Sequence, residues 1–267
     1  MKKLTIFAVV IAAFAFIACE GNKGANAPEQ NDSIKSFEQD QVEQKIKVEL
    51  DSLAAELGKM KKVPFMTADE NGIQLSEQEK QVKPDYLLNP SVAENAITLA
   101  QKYRVLSALS VDRAIAAMYD MPVDEYDKAI SKLAADVDDP SFKDIEDMST
   151  IYETGEKLYN DMNANGRINQ FWQMVGGALV EQFYAMSQNT DKFLTAFDDE
   201  SASNITYRIV LLSDAVKRLA GYDSEFEPVS KALDALTPLN AISVEQLKTQ
   251  LAEAKANIIE ARNEFIK

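Results

Sequence analysis

In "DMNANGRINQFW", residues 161–172, residue types and spacing follow those of a calcium loop. Asp161, Asn163 and Asn165 fall at its first three ligand positions, Gly166 at its turn glycine and Ile168 at its packed apolar position. Such a loop surrounds a hard cation with oxygens, above all from a bidentate glutamate at its last position. Here that position is Trp172, and two of the three ligand positions are neutral. One carboxylate does not offset the dehydration of a divalent ion, so a remote acid would have to complete the shell. The competing account is a helix–helix corner, because Asn and Gly accept left-handed backbone and end helices. The corner is the reading preferred here; Ca2+ held by Asp161, Asn163 and Asn165 is the alternative, and no other cofactor is expected.

Little else in the chain has catalytic vocabulary. It contains no histidine, which excludes Ser-His-Asp and Cys-His catalysis and imidazole-ligated metals. The single cysteine, Cys19, cannot form an internal disulfide. The acid pairs Asp138-Asp139 and Asp198-Asp199 are of the type that does general acid–base work. Each also sits beside helix-start signals, where carboxylates complement the positive end of the helix dipole. A net charge of −15 repels nucleic acid and anionic headgroups, while cations and basic proteins are better tolerated.

The export signal is clearer. "MKKLTIFAVVIAAFAFIAC" opens with Lys2 and Lys3 and continues apolar from Leu4 to Ala18, too short for a comfortable membrane span but suited to a signal peptide. Phe16-Ile17-Ala18-Cys19 resembles the lipobox of bacterial lipoproteins, with a small residue before the acceptor cysteine and Phe16 where leucine is usual. The resemblance covers the export segment alone. It implies removal of residues 1–18 and acyl chains on Cys19, a stable membrane anchor. With Glu20 following the cysteine, it also implies the outer membrane, on its periplasmic or its surface face. Cleavage after Ala13-Phe14-Ala15, leaving a free thiol, is the other outcome.

Residues 19–32 are polar, contain Gly21, Gly24 and Pro28, and read as a flexible tether of some ~30–40 Å when extended. Asp32-Ser33-Ile34 and Asp51-Ser52-Leu53 resemble an O-glycosylation acceptor of some Gram-negative bacteria, which makes Ser33 and Ser52 candidate modification sites. Ile46, Leu50, Leu53, Leu57 and Met60 step along a heptad seam within a helix over 33–61. That helix either packs onto its own bundle or meets a partner through residues 34–60.

The elements that must position these residues are helices. Gly (9) and Pro (8) are scarce, and no segment alternates with a period of two. Pro90 with Ser91-x-x-Glu94 predicts a helix from about 90 to Tyr119 that buries Ile97 and Leu106. Further helices are expected at 123–137, from Pro140 to near Asn163, at 168–187, 191–197, 202–221, 225–236 and 244–265. Gly176-Gly177 is expected to admit a neighbouring helix closely. "YRVLSALSVDRAIAAMYD" (103–120) and "YRIVLLSDAVKRLAGYD" (207–223) begin and end alike, which a duplicated hairpin would explain.

The expectation is an all-α, mostly antiparallel bundle of residues 33–267 behind a cleaved signal and tether, its main body running from 90 to 267. The leading functional reading is a lipid-anchored, non-enzymatic binding or scaffolding protein of the cell envelope. Its partners would be the membrane, through Cys19, and an envelope protein or a second copy, through 34–60. The alternatives are a carboxylate-dependent enzyme acting on glycans and a calcium-binding protein.

Overall fold

The computed structural model describes residues 44–45, 47–48, 51–52, 73–142 and 155–266. Cys19, Ser33, the tether and the seam residues Ile46, Leu50, Leu53, Leu57 and Met60 lie outside the described residues. The regular elements among the described residues are all helical: α1 (Glu77–Lys80), α2 (Leu99–Met118), α3 (Asp124–Val137), α4 (Gly155–Ala164), α5 (Ile168–Gln188), α6 (Thr190–Phe193), α7 (Asp199–Ala220), α8 (Glu227–Asp234) and α9 (Val244–Ile266). The chain is an all-α multi-helix bundle. No described helix is long and apolar enough to cross a membrane.

Two helices form the centre. α2 and α5 bury residues on every side, including Tyr103, Leu106 and Val111 on one and Phe171, Leu179 and Phe183 on the other. A helix apolar all round belongs inside a protein rather than on its surface. Both glycines of α5 sit where a side chain has no room. A Cβ on Gly177 would lie 2.7 Å from the Arg104 carbonyl of α2, and one on Gly176 would lie 2.5 Å from Val229 of α8. The pair therefore sets the close packing of three helices. α3 covers α2, α9 covers α5, and α8 bridges α7 and α9.

Start signals explain most helix boundaries. Ser76 with Glu79 and Thr98 with Gln101 form reciprocal capping boxes, and Asp198 accepts from the Ser201 N–H at 2.7 Å. The helix expected from residue 90 begins only at Leu99. Asn89 rather than Ser91 supplies the cap there, to a short 3-10 turn over Pro90–Asn95 that ends in extended backbone at Ala96. Ile97 consequently faces solvent at 84% exposure instead of entering the core.

Candidate functional site

The 161–172 stretch is a corner. Gly166 has φ +69°, the Arg167 N–H donates to the Met162 carbonyl at 2.7 Å, and the Gly166 N–H donates to Asn163 at 3.2 Å. Those two bonds make the paired C-terminal closure in which a left-handed glycine ends a helix. The candidate ligands point to other partners: Asn163 Oδ1 accepts from Lys47 at 3.4 Å, and the Asn165 amide donates to Ser141 at 3.2 Å. Asp161 is half-buried, and the described residues contain no cluster of three or more acids or cysteines poised for a metal. Trp172 is buried beside Phe171 and Tyr159, with ring centroids 5.3 and 6.4 Å away.

The acid pairs hold helix ends. Asp139 accepts from the Tyr103 hydroxyl at 2.5 Å and from the Ser141 N–H at 2.9 Å, and Asp138 ends α3 in left-handed geometry. Asp198 caps α7, while Asp199 accepts from the Val244 N–H at the start of α9, at 2.8 Å. Ser52 is exposed on a helical segment. Nearby, Asp51 accepts from the Tyr159 hydroxyl at 3.2 Å, and Lys45 lies 6.0 Å from the Tyr222 ring centroid. These contacts lay the described residues of the expected 33–61 helix against the bundle. The similar segments at 103–120 and 207–223 agree at their arginines but not their tyrosines. Arg104 and Arg208 are both buried and lowered by that burial to about 10, whereas Tyr103 is buried and Tyr207 exposed.

Three charged residues meet in the interior, one from each of α2, α5 and α9. Arg262 grips Glu181 with Nε at 2.9 Å and Nη2 at 2.8 Å, and its guanidinium lies 4.2 Å from the Tyr184 ring centroid. Asp112 Oδ2 accepts the Leu88 N–H at 2.6 Å and lies 3.9 Å from Arg262 Nη2. The Leu88 carbonyl is satisfied in turn by the Tyr126 hydroxyl at 2.8 Å. Asp112 Oδ1 is buried with no hydrogen-bond partner among the described residues. Burial, then the neighbouring Glu181 charge, holds the Asp112 carboxyl well above its usual range. Burial raises Glu181 as well, against the pull of Arg262. With Asp112 protonated, one carboxylate faces one guanidinium and the cluster is neutral, the state a sealed interior favours. Glu181 and Asp112 are wholly buried, so no substrate reaches them.

The open site is a groove of about 560 Å³ between α8 and α9. Ala232, Ala235, Ala261 and Phe265 line its apolar side. Its rim carries Glu227 and Lys231 from α8 and Asn257, Glu260 and Glu264 from α9. Residues 257, 261 and 265 fall on one helical stripe spanning ~12 Å. The Phe265 ring is backed by the Arg104 guanidinium, 5.1 Å from its centroid. Two further hollows differ from the groove because ion pairs occupy them: Glu125 with Lys128 at 2.9 Å in one, Glu79 with Lys192 at 2.7 Å in the other. That second bond, with those from Ser76, lowers Glu79 to about 2. In the groove, Glu227, Lys231 and Glu260 form no ion pair among the described residues.

Sequence reasoning missed both charged sites. Glu181 leaves a trace, a carboxylate inside the apolar run "MVGGALVEQFYAM", but nothing local marks Asp112 or Arg262 as its partners. The groove acids have the spacing of any solvated helix face. The fold and these two sites define an all-α bundle with a sealed acid–arginine lock and an open, acid-rimmed groove. No protein-family model matches the chain, nor does any curated protein or solved structure.

Proposed function

We propose that this protein is a non-enzymatic binding module of the cell envelope, held to the membrane by acyl chains on Cys19 and receiving its ligand in the α8–α9 groove. The observation that carries the binding half is the groove itself: a concave apolar strip inside a polar rim, on which Glu227, Lys231 and Glu260 form no ion pair among the described residues. The two carboxyls that converge, Asp112 and Glu181, are sealed, which weighs against carboxylate catalysis there. The anchoring half rests on the lone cysteine ending an apolar run behind Lys2 and Lys3.

The anchor is tested by expressing the full chain in a Gram-negative host, fractionating the cells and measuring the mass of the N-terminal peptide. The expected peptide begins at acylated Cys19 and partitions with the outer membrane, and Cys19→Ser releases the protein from it. A soluble product with a free Cys19 thiol, cleaved after Ala13-Phe14-Ala15, would overturn the anchor. The same mass measurement reads any glycan on Ser33 or Ser52.

A further inference from the structure

We infer that the groove takes a cationic amphipathic peptide segment from a partner protein, with apolar side chains against Ala232, Ala261 and Phe265 and Lys or Arg head groups at the rim. The inference rests on the binding reading above and specifies the chemistry of the ligand.

Charge complementarity chooses the partner. Among the described residues that line the groove, three carboxylates, on Glu227, Glu260 and Glu264, face one ammonium, on Lys231. The groove also lies along the last turns of α9, the negative end of the helix dipole. An anionic ligand meets repulsion from both sources and from the net charge of −15; a basic one is steered inward.

The geometry also orients the ligand. Arg104 already lies against the Phe265 ring, so a second cation has little to gain from that aromatic surface. Apolar groups therefore go to the strip and cations to the rim. The strip, ~12 Å long, matches about two turns of a helical peptide. Unlike the paired charges of the two other hollows, Glu227 and Glu260 have no ion pair among the described residues to give up when a cation arrives.

The test uses the full chain in mild detergent and three fluorescent Leu/Ala peptides of about twelve residues, identical except that their polar positions are Lys, Gln or Glu. Each carries one photo-reactive phenylalanine, and binding is read by fluorescence anisotropy. The Lys peptide is expected to bind at least about tenfold more tightly than the Gln peptide, to weaken with added salt, and the Glu peptide not to bind. Mass spectrometry is expected to place its cross-link on α8 or α9 at the groove. Glu260→Gln with Glu264→Gln is expected to weaken the Lys peptide and leave the Gln peptide unchanged. If all three peptides cross-link to the groove with equal affinity, the groove binds apolar segments and the charge inference falls. If none cross-links there, both the inference and the groove's assignment as the ligand site fall.

Discussion

One helix, α9, carries two kinds of charge that do opposite things. Arg262 points inward, 8% exposed, and is held by Glu181. Glu260 and Glu264, two residues to either side, look outward into the groove. The inner charge has been taken out of water and must be matched inside the protein, so it ties three helices to one geometry. The outer charges stay exposed to water. Exposed charges contribute little to a fold, and Glu260 forms no ion pair among the described residues. Whether a carboxylate on this protein is structural or available is therefore decided by its position in the helical repeat, not by its neighbours in the chain.

The contrast breaks most sharply at Glu181. Glu181→Ala leaves the Arg262 guanidinium buried with its nearest remaining carboxyl, Asp112, 3.9 Å away. Removing one partner of a buried pair costs about 3–5 kcal/mol, and the expected fall in melting temperature is roughly 10 °C or more. Asp112 lessens the loss by ionising, so the variant should also become more sensitive to low pH, where that rescue fails. Replacing both partners, Glu181→Leu with Arg262→Met, is expected to cost less than Glu181→Ala alone, because no charge is stranded. Thermal unfolding followed by circular dichroism checks the order; a double variant less stable than Glu181→Ala would refute the stranded-charge account.

A smaller effect comes from the proton on Asp112. Its folded carboxyl is held above the unfolded value of about 3.8 by burial and by Glu181. The folded state thus binds a proton that the unfolded state releases. The stabilisation is complete below the unfolded pKa and is lost as pH rises through the folded one. Asp112→Asn keeps a donor towards Glu181 and an acceptor for the Leu88 N–H but removes the titration. The stability difference between parent and variant should move against the parent from about pH 4 upward and flatten once Asp112 has ionised. Comparing the two cancels surface terms such as Glu79, whose lowered pKa works in the opposite direction. Parallel stability–pH curves would show that Asp112 is ionised in the folded protein throughout.

The sequence was legible where the physics is local and silent where it is not. The corner at Gly166, the close approach at Gly176-Gly177 and the cap at Asp198 follow from backbone conformation, missing volume and short-range hydrogen bonds. The start of α2 was misjudged because two capping boxes follow one another, Ser91-x-x-Glu94 and Thr98-x-x-Gln101, and local rules do not rank them. Asn89 takes the first cap for a 3-10 turn, which leaves the second to open the helix. The lock was out of reach because Glu181 and Arg262 lie 81 residues apart and meet only after the helices pack. The groove was invisible for the reverse reason: exposed acids on α9 look the same whether or not α8 lies beside them.

The smallest expected effect sharpens the outer half of the comparison. Glu260→Gln combined with Glu264→Gln removes two charges from the same helix that carries Arg262, yet neither side chain is buried. Glutamine retains the stem and its helix propensity is close to that of glutamate, so packing and backbone are undisturbed. Near the negative end of the α9 dipole the two carboxylates are slightly unfavourable, and their removal brings a small gain if any. The expected melting temperature lies within about 2 °C of the parent. A large fall would mean that Glu260 or Glu264 shares in holding α8 against α9. The groove acids would then be structural, as Glu181 is, and the division between sealed and available charge on α9 would fail.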